Sequence, residues 1–233
     1  MNRLARQALA EFVGTALLAA AVVGSGIAAA RLSPNQPGLE LLVNSIVTSS
    51  ALVALIVALQ PVSAAFNPIV TLIERATGGL SNRALLALIC CQLSGAYVGV
   101  ITSNVMFGLP AINVSAHHRT GGGLLLGEAV ATLGLVVVIF GAVRAGRSDR
   151  LAFAVGGYIL AAYWFTSSTS FANPALTVAR LGSDTFAGIA PSSVGLFVAA
   201  QVAGGLVGYG VVSALWPVRN SMTSTSATGD ALA

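Results

Sequence analysis

The sequence predicts an all-α membrane protein with six transmembrane helices and two re-entrant half-helices in an inverted repeat. Three observations predict it: an apolar composition, six apolar segments of spanning length, and two Asn-Pro pairs at equivalent places in the two halves. Of 233 residues, 56% are hydrophobic and 8% are charged, and the mean hydropathy is +0.88. A soluble domain of this length would need more surface charge, so lipid is the expected main solvent.

Six apolar segments approach the roughly 20 residues that a helix needs to cross a bilayer. They cover residues 8–30, 39–60, 84–107, 123–144, 151–169 and 192–216. The first segment is too long for a signal peptide and lacks a small-residue cleavage site, so we expect a membrane anchor there. The Ser- and Thr-rich tail at 219–233 is predicted to be disordered and cytoplasmic.

The basic residues are all arginines, and they lie between or beside the apolar segments. The predicted topology places eight on one side and three on the other: Arg3, Arg6, Arg75, Arg83, Arg144, Arg147, Arg150 and Arg219 against Arg31, Arg119 and Arg180. Because positive charge is enriched in cytoplasmic loops, we expect the first side, with both termini, to be cytoplasmic. The net charge of +4 therefore has a membrane explanation, and no nucleic-acid partner is expected.

The two halves of the chain repeat the same short patterns. Glu11 and Glu128 each begin Glu-x3-Thr, and Gln92 and Gln201 each begin QxxGxxxG, in which small residues allow close helix packing. Each half contains three predicted spans, so the second half must be inserted upside down relative to the first.

These repeats predict the domain organisation. We expect a single channel domain over residues 1–218, with inverted repeats at about 5–110 and 122–218. The two repeats would be related by a pseudo-two-fold axis in the membrane plane.

Glu11 and Glu128 place carboxylates inside predicted spans, where an unpaired charge is costly. We expect each to accept hydrogen bonds from the irregular backbone of a nearby short segment, since there are two such segments to stabilise. The alternative is an ion-coupled secondary transporter in which the two glutamates carry protons or cations, because that class also uses inverted repeats and broken helices.

Two moderately apolar stretches are too short to cross the membrane, and each contains an Asn-Pro pair. Proline suits the first turn of a helix, and asparagine before it is a good N-cap. Asn67-Pro68 and Asn173-Pro174 therefore predict half-helices that begin at membrane depth, around a cavity. Their dipoles would disfavour a cation there, while the asparagines could donate hydrogen bonds to a neutral solute.

The sequence resembles the aquaporin family, also called the major intrinsic proteins, over residues 5–216. Three motifs carry the resemblance: AEFVGT at 10–15, FNPIVT at 66–71 and FANPALT at 171–177. It implies six tilted helices, two re-entrant half-helices and usually a homotetramer with one pore in each subunit. It also implies a pore centre at Asn67, Pro68, Ile69, Asn173, Pro174 and Ala175. Ile69 departs from the family's usual alanine.

The outer constriction implied by the resemblance departs further from the family. An arginine usually follows the second Asn-Pro-Ala, and here that position is Leu176. The other constriction positions fall at Val47 or Thr48, at Ala161 and at Ser170. We therefore expect a wide, arginine-free and largely apolar constriction that admits neutral solutes larger than water.

Arg180 lies four residues after Leu176, about 6 Å further along a continuing helix. We expect it to give an outer vestibule positive charge without narrowing it. The alternatives are an arginine that extends to the membrane interface or one that pairs with Asp184.

These features predict a passive channel for small neutral solutes in the lipid bilayer, such as glycerol-like polyols and water. NPALTVAR and SDTFAGIAP resemble a bacterial branch of the family associated with arsenic resistance. That resemblance adds arsenous acid and related trivalent metalloid hydroxides as expected solutes, and the bacterial inner membrane as the expected location. An enzyme, a cofactor and a bound metal are not expected. His117 and His118 fit a solvated outer loop, and Cys90 and Cys91 are either apolar filler or thiols near the pore.

Overall fold

The computed structural model describes residues 1–217, and the tail at 219–233 lies outside them. Within these residues the chain forms eight α-helices: α1 Arg3–Leu32, α2 Pro37–Leu59, α3 Pro68–Ala76, α4 Asn82–Met106, α5 Gly122–Arg144, α6 Leu151–Phe165, α7 Pro174–Ala179 and α8 Pro191–Leu215. Short 3₁₀ turns at Ser148–Arg150 and Arg180–Gly182 precede α6 and follow α7. The short helices α3 and α7 are the two predicted half-helices.

Five of the described helices, α1, α2, α4, α5 and α8, are long and apolar enough to cross a membrane. The sixth predicted span, at 151–169, is shorter than expected, because α6 has only 15 residues. At 1.5 Å per residue it extends about 22 Å, less than the roughly 30 Å hydrocarbon core. α6 packs against α2 and α5, and the chain after Phe165 becomes extended where it approaches the second Asn-Pro pair.

Close helix pairs in the two halves depend on the repeated glycines. A Cβ on Gly95 would collide with the carbonyl oxygen of Phe12, so α4 lies directly against α1. A Cβ on Gly204 would collide with the carbonyl oxygen of Ala129, so α8 lies against α5 in the same manner. The predicted packing function of the QxxGxxxG patterns is visible in both pairs.

Gly204→Ala is expected to lower the stability of the α5–α8 pair by about 1–3 kcal/mol, because the added methyl group has no room. The measurement is the midpoint of thermal unfolding in detergent, followed by circular dichroism. Gly195→Ala on the same helix is the matched control, since a Cβ there meets nothing within 4 Å. Equal midpoints for the two variants would contradict the close packing.

Candidate solute pore

A cavity of about 780 Å³ runs through the helix bundle and reaches both half-helices. One mouth lies beside Arg3 and Arg144, close to the N-terminus. The opposite end, here the distal end, is lined by Thr48, Tyr163, Ser170, Leu176 and Arg180.

Asn67 and Asn173 line the cavity where the two half-helices meet. Each side chain caps its own helix: Asn67 Oδ1 accepts from the Ile69 amide at 3.0 Å, and Asn173 Oδ1 accepts from the Ala175 amide at 3.0 Å. Each Nδ2 crosses to the other half-helix. Asn67 donates to the carbonyl of Ala172, and Asn173 donates to the carbonyl of Phe66, both at 2.7 Å. One N–H on each amide remains for a solute.

The other four residues predicted for the pore centre lie behind the cavity wall. Pro68 and Pro174 occupy the first turns of α3 and α7, and Ala175 is fully buried. Ile69 packs against α8 at Gly205, where a Cβ would collide with the isoleucine side chain. These four residues therefore belong to the half-helix ends at the pore centre without lining the described cavity, because successive residues of a half-helix point in different directions.

Glu11 accepts four hydrogen bonds around the first re-entrant loop and is fully buried. Its carboxylate receives the Ser63 hydroxyl at 2.5 Å, the Ala65 amide at 2.8 Å, the Phe66 amide at 2.7 Å and Gln92 Nε2 at 2.8 Å. Phe66 has a left-handed backbone with φ of 49°, which is costly for a side chain of this size. The carboxylate therefore holds the loop at its most strained residue.

Glu128 makes the equivalent contacts around the second loop. It accepts the Phe171 amide at 2.8 Å, the Ala172 amide at 2.9 Å and Gln201 Nε2 at 2.6 Å. Ala172, with φ of 47°, again carries the left-handed backbone. This repetition gives the expected loop-stabilising geometry, and neither glutamate contributes to the described wall of the cavity.

Two of the residues assigned to the constriction from the sequence do not line the distal end. Val47 is 38% exposed and Ala161 is also exposed, and neither lines the cavity. Thr48, the alternative to Val47 in that assignment, does line it, and so does Tyr163, whose hydroxyl lies 3.2 Å from Thr48 Oγ1. Because one residue turns a helix by about 100°, a displacement of two residues moves Ala161 to the opposite side of α6. The prediction missed Tyr163, although a tyrosine beside Trp164 and Phe165 could have been considered as a polar group turned inward.

Ser170 and Leu176, the other residues assigned to the constriction, line the cavity. Both are buried, with exposed fractions of 3% and 5%. The Ser170 hydroxyl oxygen is itself buried and forms no hydrogen bond to any described residue.

Arg180 lies in the cavity wall rather than in an open vestibule. It is 4% exposed, its guanidinium carbon lies 3.4 Å from the centre of the Phe171 ring, and its Nε donates to the carbonyl of Ala187. Neither alternative holds: burial excludes extension to the interface, and Asp184 instead accepts the Ala116 amide at 2.9 Å. The distal end was expected to be largely apolar. It contains a cation and the hydroxyl-bearing residues Thr48, Tyr163 and Ser170.

The remaining candidate residues lie away from the cavity wall that the structure describes. Cys90 is exposed and Cys91 is half-buried, both on α4. His118 Nδ1 lies 3.2 Å from the Ser192 hydroxyl, and the backbone carbonyl of His117 accepts the Ala190 amide. Among residues 1–217, no three His, Cys, Asp or Glu side chains are grouped to hold a metal ion.

A cavity that passes between two half-helices inside a bundle of membrane-crossing helices defines a membrane channel. Residues 1–165 match the family described as major intrinsic protein. The sequence is 42% identical over 225 residues to aquaglyceroporin AqpS of Rhizobium meliloti (strain 1021), covering 96% of each chain. The chain therefore belongs to the major intrinsic protein family, and it is a passive multi-pass channel rather than an enzyme.

A solved structure with the same fold is the aquaglyceroporin from Plasmodium falciparum. The TM-score is 0.65 at 19% identity, and the match covers 89% of this chain and 94% of that one. This likeness confirms the predicted helical fold with two re-entrant half-helices.

Proposed function

We propose that the channel conducts glycerol and similar small neutral polyols, together with water and arsenous acid or related trivalent metalloid hydroxides. The observation that carries the proposal is the mixed polar and aliphatic lining of the cavity. Asn67 and Asn173 offer polar groups, and six aliphatic side chains line the same cavity: Leu18, Val22, Leu52, Ile56, Val155 and Ile159. A polyol has hydroxyl groups and a carbon chain, and it can satisfy both kinds of surface at once.

In this proposal the two asparagines form the pore centre, and each offers its remaining amide N–H to a passing hydroxyl. The N-termini of α3 and α7 converge at this point, so their dipoles favour electron-rich oxygen atoms over cations. Glu11 and Glu128 stabilise the loops. The support is that their carboxylates are occupied by backbone amides and glutamines, which leaves little capacity for a transported proton.

The assembly and location are part of the same proposal. Residues 1–218 would form one channel domain with repeats at about 5–110 and 122–218, and four chains would form a homotetramer with one pore each. The arginine distribution and the bacterial origin of AqpS support a bacterial inner membrane protein with both termini in the cytoplasm.

Stopped-flow permeability to water, glycerol and arsenous acid in the same proteoliposomes tests the proposed solutes. We expect glycerol flux well above that of empty liposomes and independent of any pH gradient. Glycerol flux that follows the gradient would favour the ion-coupled transporter. Fast water permeation with negligible glycerol and arsenous acid flux would contradict the wide constriction.

A further inference from the structure

Two arginines from distant parts of the chain bind three successive carbonyl groups beside the distal end. Arg119, in the loop between α4 and α5, donates to the carbonyls of Phe186 at 3.1 Å and Gly188 at 2.9 Å. Arg180 donates to the carbonyl of Ala187, which lies between them. The segment 186–188 therefore connects the two guanidinium groups.

The Phe171 ring is the second connection between these arginines. The guanidinium carbons of Arg180 and Arg119 lie 3.4 Å and 4.9 Å from the ring centre, distances typical of cation–π contacts. Phe171 is itself held, because its amide donates to the carboxylate of Glu128. The position of Arg180 is therefore fixed from two sides.

The buried charge of Arg180 has no carboxylate within ion-pair distance among the described residues. Within residues 1–217 the single ion pair closer than 4.0 Å is Arg150 with Asp149, on an exposed turn far along the chain. The terminal nitrogens of Arg180 form no hydrogen bond to any described residue, and the side chain lines the cavity. A fixed cation in a low-dielectric wall acts on passing ions with little screening.

We propose that Arg180 is the residue that rejects cations at the distal end, and that Arg119 is the positioning residue that holds it there through segment 186–188. The inference rests on the proposed solute channel and adds the basis of its charge selectivity. Leu176 leaves the wall uncharged at its own position, and Arg180 supplies the charge from one helical turn later. A neutral polyol can accept hydrogen bonds from the free guanidinium nitrogens, whereas a sodium or hydronium ion is repelled.

The test compares Arg180→Gln, Arg119→Gln and Arg31→Gln in proteoliposomes, with glycerol swelling and sodium and proton leak measured on the same preparations. Arg180→Gln should raise cation leak by about tenfold or more while glycerol flux persists. Arg119→Gln should raise it less, and should add nothing in the double variant, because it acts through Arg180. Arg31 is the matched control: it also contacts an aromatic ring and a carbonyl, both of Phe107, but it does not line the cavity.

Cation leak in Arg180→Gln equal to wild type, with glycerol flux retained, would overturn the inference. If that variant does not fold, Arg180→Met is measured instead, and wild-type leak there overturns the inference equally. Leak at the wild-type value in Arg119→Gln contradicts the positioning function of Arg119. Additive effects of the two substitutions would refute the positioning function of Arg119. Absence of glycerol flux in the wild type would contradict the proposed solutes instead. That outcome is measured by glycerol swelling, separately from the cation leak.

Discussion

Glu128→Gln should destabilise the channel by about 3 kcal/mol and strongly reduce solute flux. Glutamine replaces one acceptor oxygen by a donor, so one of the two amides of Phe171 and Ala172 faces an N–H group inside the protein. The loop then loses the partner that holds Ala172 in its left-handed conformation. The measurements are the thermal unfolding midpoint and glycerol flux per folded channel.

Glu40→Gln is the control for this substitution. Glu40 lies in the first turn of α2 and forms no side-chain hydrogen bond within the described chain, so its loss should cost about 0.3–1 kcal/mol through the helix dipole. A Glu128→Gln channel that keeps the wild-type midpoint but loses a dependence on the pH gradient would instead indicate a transported proton.

Leu176→Arg should reduce glycerol flux by about tenfold or more, with a smaller effect on water. Leu176 lines the distal end and is 5% exposed, so a longer charged side chain must extend into the cavity or displace its neighbours. Arg180 lies one turn away, and repulsion between the two cations favours the open space of the pore. Stopped-flow measurements of glycerol and water permeability give the glycerol-to-water ratio of the variant.

Leu176→Met is the control, because it keeps the apolar character and nearly the same volume. We expect it to conduct glycerol within about threefold of the wild type, in line with the small cost of volume-conserving changes. Equal glycerol-to-water ratios for the arginine and methionine variants would mean that position 176 does not form part of the constriction.

The sequence alone predicted the parts of this site that depend on local chemistry. Asn67-Pro68 and Asn173-Pro174 carry their own capping signal, and the structure starts both half-helices there. Glu11 and Glu128 could be matched with the loops because an intramembrane carboxylate needs partners and the repeat supplied two of each.

The parts of the site that the sequence did not predict depend on the rotation of α6 about its own axis and on contacts between residues distant in the chain. α6 is apolar on the side facing lipid and on the side facing the bundle, so its sequence has no periodicity to show that Tyr163, rather than Ala161, faces the cavity. The position of Arg180 depends on a 3₁₀ turn, on Phe171 and on a carbonyl seven residues away, none of which follows from a helical projection.

The contact between Ile69 and Gly205 has a consequence for the order in which the channel is completed during synthesis. Glu11 can hold the first loop as soon as the first half of the chain is in the membrane, since all its partners precede residue 93. In the half-helix α3, however, Ile69 packs against Gly205 of α8, and α8 is the last of the described spans to be synthesised. A nascent chain lacking that span has a stabilised loop and a half-helix that packs on α4 and is hydrogen-bonded to Gln92, but Ile69 lacks its α8 contact, so the packing around the pore is completed only at the last insertion step.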